Sequence, residues 1–274
     1  MLSKYILQEE ASNSIHVKNI HLHDYVIIFT KNCSIHLCHN DSHMYIPRGS
    51  LVLLEKRLVI DVLIVREGEG NLYNLLRVDN DALHNLTRFY EQLLNFSVEQ
   101  LLTKRNLNDR VFFLRNGHVE TELFKRIQEN QMSQDMIFGV AYLLSRTESS
   151  QAILNSFLIT AVKKFSEKVS EIILSDLKKK WKLSDISDKL NISEIAVRKK
   201  LEAECTSFFT ILLDIRMNSA FKLLVYEGLQ VNTVADNLGF SSVSYFIKTF
   251  RDYYGLTPKK LILSFRNTMH NIEA

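Results

Sequence analysis

Two groups of residues in this 274-residue chain have types and spacings that could do chemistry. The first is a set of histidines near the start, His16, His21, His23, His36, His39 and His43, with Cys33 and Cys38 among them. Imidazole and thiolate are metal ligands, and His21 and His23 fall on one face of a strand. A tetrahedral site needs a third and a fourth ligand at matched spacing, and no acid or Cys-x-x-Cys pair supplies them. There is no Gly-rich phosphate loop and no Gly-x-Ser-x-Gly elbow. The histidines therefore read as surface or hydrogen-bonded side chains, with no catalytic set, no cofactor and no metal site. A cupin-like metal-dependent enzyme is the alternative they leave open.

The second group lies in two short segments. One holds Glu194, Ile195, Arg198, Lys199 and Lys200; the other holds Ser242, Val243, Ser244, Tyr245 and Lys248. They follow two copies of one pattern. Asp185–Ser193 aligns with Thr233–Ser241, 48 residues further on, pairing Ile186 with Val234, Ser187 with Ala235, Leu190 with Leu238 and Ser193 with Ser241. In each copy a small residue (Ser187, Ala235) lets a second helix cross closely. Asn191 and Gly239 follow, the residue types that tolerate positive φ in a tight turn. Ser193 and Ser241 then stand where a helix N-cap is needed. That is the helix-turn-helix arrangement, whose second helix lies in the DNA major groove.

Helical phasing sorts the second helices. Val197 and Leu201 face inward in the first, which turns out Glu194, Ile195, Arg198 and Lys199. Arg198 is the candidate for base readout, because guanidinium can bond guanine through two parallel hydrogen bonds. Lys199 and Lys200 suit phosphate. In the second copy Phe246 and Phe250 face inward. Ser242, Val243, Ser244 and Lys248 are exposed, with Tyr245 at the edge, a short-chained face suited to shape and methyl contacts.

The elements that must hold these groups follow from the rest of the chain. The net charge is only +3, and Gly (8) and Pro (2) are scarce, so much of the chain is expected to be helical. Residues 15–78 are β-rich: Tyr25–Thr30, Ser34–Cys38, Ser50–Leu54 and Leu58–Val65 read as short strands between turn-like pieces. From 79 to 165 the spacing turns helical, with Leu83, Leu86, Phe89, Tyr90, Leu93 and Leu94 on one stripe, Asp79 or Asn80 as its cap, and further helices at 119–129, 133–146 and 150–165. Residues 83–101 and 150–165 could form a homodimer surface or pack as core. Lys163, Lys164, Lys168, Lys178, Lys179, Lys180 and Lys182 precede the first repeat, a run that alone would mean only a solvated face. Between the repeats, Ser207–Tyr226 has helical periodicity with no breaker before Gly228, and a rigid spacer would set two reading helices on major-groove faces about 34 Å apart. The expected fold class is α+β. A cupin-like β sandwich or barrel with helices (1–165) precedes an all-α domain (166–274), whose helix-turn-helix units span about 183–204 and 231–254 and are joined by a linker helix. Three cysteines do not pair evenly, the N-terminus has acids where a leader would be apolar, and no apolar run approaches about 18 residues. A cytoplasmic protein with no membrane partner is expected.

Residues 167–265 resemble the DNA-binding domain of the AraC/XylS family. The specific stretch is Ala235-x-x-x-Gly239-Phe240-x-Ser242-x-x-Tyr245-Phe246-x-x-x-Phe250-x-x-x-x-Gly255-x-Thr257-Pro258, with Arg216-Met217-x-x-Ala220-x-x-Leu223-Leu224 between the units. The first unit has Ser187 for the family's alanine and no glycine at its turn. The overall plan is similar to that of the enteric virulence regulators of the family, a similarity that extends weakly to Asn19-Ile20-x-x-His23-x-Tyr25. The resemblance implies a transcription regulator, an activator of virulence genes, that binds double-stranded promoter DNA and meets RNA polymerase. It also implies a small anionic effector, either a fatty acid, whose carboxylate such regulators bury between their domains, or bicarbonate. Carried over residue by residue, the ligand-binding residues are His23 and Arg77, with Arg77 offering a fork for a carboxylate. The surface alternative pairs Arg77 with Asp79 or Asp81. An interaction protein that has kept the fold without binding DNA remains the other reading.

Overall fold

The computed structural model describes residues 14–78, 80–93, 105–130, 133–147, 150–161 and 164–269. The chain divides between Ala161 and Val162 into two compact units.

The N-terminal unit is built on two antiparallel four-stranded sheets. Strands β1 (Ser14–His21), β6 (Val59–Arg66), β3 (Cys33–His39) and β4 (Ser42–Ile46) form one, in that order. Strands β7 (Asn74–Val78), β2 (Tyr25–Phe29), β5 (Leu51–Leu54) and β8 (Val111–Leu114) form the other. Strand β5 shows why its sequence is apolar without alternation: all four residues are buried, but on two faces. Val52 and Leu54 join Ile35, Leu37, Ile60, Val62 and Ile64 in one core. Leu51 and Leu53 join a second core with Tyr25, Ile27, Phe124, Leu143 and Phe157, contributed partly by helices. Those helices are α1 (Asn80–Leu93), α2 (His118–Asn130), α3 (Ser133–Ser145) and α4 (Ser150–Ala161).

Two expectations for this unit are corrected. Residues 79–165 are not wholly helical, because Val111–Leu114 pairs with β5 as an edge strand. The helix expected over 150–165 stops at Ala161, and Phe165 begins a different helix in the other unit. Strands β1, β4 and β7 add to the four runs singled out in the β-rich stretch; in β4 the outward His43 and Tyr45 dilute the apolar signal. In the helical stripe, Leu83 and Leu86 are buried, while Asp79, Leu94 and the rest of 94–101 lie outside the described residues.

The C-terminal unit is all-helical: α5 (Phe165–Leu174), α6 (Leu183–Leu190), α7 (Glu194–Ala203), α8 (Phe208–Val225), α9 (Val231–Asn237), α10 (Val243–Tyr254) and α11 (Pro258–Met269). Helix α8 has 18 residues, so it is about 27 Å long at 1.5 Å per residue. It packs against α5 as well as against α9 and α11, which explains why it is apolar nearly all round. Phe208, Ile211 and Ile215 face a core with Val169, Ile173, Trp181, Ile186, Val197 and Leu201. Near its other end, the Phe221 ring lies 5.8 Å from that of Tyr254. Two further bonds pin α10 to this spacer: Tyr253 Oη donates to Asp214 Oδ1 at 2.8 Å and Tyr254 Oη to Asn218 Oδ1 at 3.3 Å. Burial, with Asp214 alongside, drives the Tyr253 phenol far above its ordinary pKa, so it stays a donor.

Candidate nucleic-acid interface

The first unit is α6, a turn and α7. The Asp185 carboxylate accepts the Lys182 N–H at 2.7 Å at the start of α6. Its pKa is held down first by the hydrogen bond from Lys179, whose Nζ lies 2.9 Å away. Ile186 and Ser187 are buried where α7 crosses. Asn191 then adopts the left-handed conformation, φ 51° and ψ 43°. Ser193 caps α7, its Oγ accepting the Ala196 N–H at 3.2 Å. Val197 and Leu201 are buried, so the opposite side of α7 meets solvent.

Ile195 stands 67% exposed on that side. Arg198 is exposed and its Nη2 lies 3.7 Å from Glu194 Oε2 one turn earlier. Exposed pairs of this kind are weak, so the guanidinium is available to a stronger partner. Lys199 is exposed. Lys200 is also exposed, but its Nζ sits 5.5 Å from the Phe165 ring at the start of α5.

The second unit is α9, a turn and α10. Ala235 is buried at the crossing and Gly239 has φ +68°. A Cβ on Gly239 would lie 2.5 Å from the Lys178 carbonyl oxygen, so glycine is required here by both conformation and space. The cap is a correction. Ser242, not Ser241, precedes α10 and accepts the Tyr245 N–H at 3.2 Å. The second turn is one residue longer than the first, because three residues rather than two separate the left-handed position from the helix. Counted from the caps, Lys248 matches Lys199, Ser244 matches Ile195, Tyr245 matches Ala196 and Ile247 matches Arg198. Ser244, Tyr245 and Lys248 are exposed, Val243 is half-buried, and exposed Ser242 carries the cap bond. The Tyr245 ring leans on Phe240 at 5.9 Å.

Two residues were given no role of their own in the sequence. Arg251 continues the exposed face of Ser244 and Lys248, at the i+3 spacing from Lys248 that marks one helix side. Arg216 of α8 donates from Nη2 to Lys179 O at 3.3 Å and lies 5.6 Å from the Phe240 ring. It thereby ties the lysine-rich segment before the first unit to the turn of the second. Lys178 Nζ reaches Asp236 of α9 at 3.3 Å across the same seam. Arg216 shares α8 with two other charged residues, Asp214 and Lys222, so no sequence signal set it apart.

The N-terminal candidates sit differently. Arg77 is exposed on β7 opposite Val26, with its neighbours Leu76 and Val78 buried in the helix-covered core, so it projects from the other side of the sheet. His23 is exposed in the β1–β2 connection. The other histidines are dispersed: His39 Nδ1 meets Val59 O at 2.6 Å, His43 Nδ1 meets Cys38 Sγ at 3.1 Å, and the His36 ring lies tilted 4.8 Å from that of Tyr45. Among the described residues no three His, Cys, Asp or Glu side chains are grouped to hold a metal ion. No described helix is long and apolar enough to cross a membrane.

Two capped helices with cationic outer faces, carried on one spacer, define a DNA-binding regulator with paired helix-turn-helix units. The family model of a helix-turn-helix domain matches residues 186–263. The transcriptional activator FapR of Escherichia coli is 37% identical over 254 residues, covering 92% of this chain and 98% of that protein. The virulence regulon transcriptional activator VirF of Shigella flexneri is 38% identical over 251 residues, covering 92% and 95%. This chain belongs to the AraC/XylS family of transcription regulators. Its fold matches that of ToxT from Vibrio cholerae, solved with an unsaturated fatty acid bound, with a TM-score of 0.66 at 19% identity over 94% of this chain and 98% of that one.

Proposed function

We propose that this protein activates transcription of virulence-associated genes by binding promoter DNA with α7 and α10 in successive major grooves. The observation that carries the reading is the pairing of two exposed helix faces, Ile195–Arg198–Lys199 and Ser244–Tyr245–Lys248, on a common spacer. Arg198 reads a base, and Lys199, Lys200 and Lys248 contact phosphate. Glu194, Ser242 and Val243 flank the contacts. FapR and VirF, both named activators, support the direction of regulation, and RNA polymerase is the partner an activator must meet. The protein acts in the cytoplasm, without enzymatic activity, as a monomer or homodimer.

A small carboxylate effector modulates this activity, by the analogy of fold with fatty-acid-bound ToxT. His23 and Arg77 receive its charged end, and bicarbonate is the compact alternative. Such a ligand shifts activity only if it binds one state of the protein better than another.

The test is anisotropy titration of the full chain on a bound promoter fragment and on random duplexes. Arg198→Ala should weaken specific binding by ~1–3 kcal/mol and relax preference at one base step. Lys199→Ala should weaken all duplexes alike and lower the slope of log K against log[salt] by about 0.9. An Arg198→Ala protein with unchanged affinity and preference would refute the assigned readout.

A further inference from the structure

The N-terminal unit contains a cleft that none of these roles uses. It measures about 1050 Å³ and lies between strand β8 and helix α4. Strand β8 is the edge of its sheet, so the cleft opens along its outer side. One wall is apolar: Phe113, which is 46% exposed, faces a lining that includes Ala152 and Ile159 of α4.

The other wall is cationic. Arg105, Arg115 and Arg146 line the cleft against a single acid, Asp109. Asp109 turns its Oδ2 to the Asn106 N–H at 2.8 Å. Arg105 is committed to the buried Glu55, which also binds Arg110 Nε at 2.9 Å. Arg146 is only loosely held, with Nε 3.5 Å from Glu120 Oε1. The Arg115 side chain is exposed and lies close enough to the Glu120 carboxylate to help hold its pKa down, without a hydrogen bond to it among the described residues. The Arg115 N–H donates to Arg146 O at 3.1 Å, so the two guanidinium groups spring from one point of the backbone. Thr147 Oγ1 donates to Phe113 O at 3.1 Å and holds the same segments together.

An aromatic face left in water beside guanidinium groups with unused donors selects an amphipathic anion. A bare inorganic ion would leave the apolar wall wet, and a neutral hydrocarbon would leave the donors unused. We propose that this cleft binds a carboxylate with an apolar body, the carboxylate on Arg115 and Arg146 and the body against Phe113 and Ile159. Guanidinium forks match carboxylate geometry and form charge-assisted bonds. This site is separate from His23 and Arg77 and does not depend on the DNA-binding reading.

The experiment is hydrogen exchange on the full chain with and without octanoate, resolved at the amides of β8 and α4. Octanoate should slow exchange there at least fivefold. Arg115→Glu and Phe113→Asp should each abolish the protection while circular dichroism shows an unchanged fold, and Arg77→Ala should retain it. Inorganic phosphate and 1-octanol, each carrying half of the chemistry, should protect at most slightly. The proposal is overturned if octanoate leaves these amides unchanged, if protection survives Arg115→Glu, if phosphate or octanol alone protects equally, or if Arg77→Ala removes it.

Discussion

Replacing Gly239 with alanine tests how the second reading head is held. The position has φ +68°, which costs an L-residue about 1–2 kcal/mol. The added Cβ would also sit 2.5 Å from Lys178 O and 3.2 Å from its carbonyl carbon. Those are backbone atoms, so relief requires moving a chain segment, and overpacking of this kind typically costs about 1–3 kcal/mol. The sum is roughly 2–5 kcal/mol, a large share of the ~5–15 kcal/mol that holds a typical domain folded. Asn191 occupies the matching turn with φ 51° and already carries a Cβ, so Asn191→Ala should cost only about 1 kcal/mol. Trp181, the single tryptophan of the chain, is buried in the C-terminal core, so its fluorescence follows that unit. With a urea m-value of about 1–3 kcal/mol per molar, Gly239→Ala should lower the unfolding midpoint by roughly 1–2 M and Asn191→Ala by roughly 0.5 M. Equal shifts for the two would refute the claim that Lys178 walls off the second turn.

Three further outcomes follow from the described contacts. Ser242→Ala should destabilise the C-terminal unit by ~1 kcal/mol while Ser241→Ala should be nearly neutral, since only the first removes a cap; the reverse order in urea melts would put the helix start back at Ser241. Burial lowers the His21 pKa to about 4, so the unfolded chain takes up the proton first as pH falls. Stability of the N-terminal unit from this group is complete above about pH 6.5 and declines toward pH 4, by on the order of 3 kcal/mol. Hydrogen exchange of β1 and β6 should show that loss in the native protein and a flatter profile in His21→Gln. Finally, Arg77→Ala and His23→Ala should each blunt the response of a promoter reporter to fatty acid or bicarbonate without changing its effector-free output, and an unaltered response in both would remove these residues from the effector site.

The parts of the molecule legible in the sequence are those where backbone geometry dictates residue type. Asn191 and Gly239 stood out because few residues accept a left-handed turn, and Val197, Leu201, Phe246 and Phe250 because one face of each helix is buried. The extra residue in the second turn was hidden because Ser241 and Ser242 are adjacent and equally able to cap. Strand β8 was hidden because Val-Phe-Phe-Leu, four residues between helices, has no period of its own, and its identity comes from pairing with β5. The role of Arg216 was hidden because its partners, Lys179 O and the Phe240 ring, are brought to it only by the fold. The arginine-lined cleft was invisible for the same reason: Arg115 and Arg146 are neighbours through one backbone bond across 31 positions of sequence.

In the proposed function α7 and α10 read DNA sequence together. Selection of bound duplexes from a random library by the full chain, repeated with Arg198→Ala, tests it most directly. Enrichment of a two-part site is expected, its halves about one helical turn, 10–10.5 base pairs, apart, with information lost in one half only in the variant. Recovery of unenriched random sequence by the native protein, or an identical site recovered by Arg198→Ala, would contradict it.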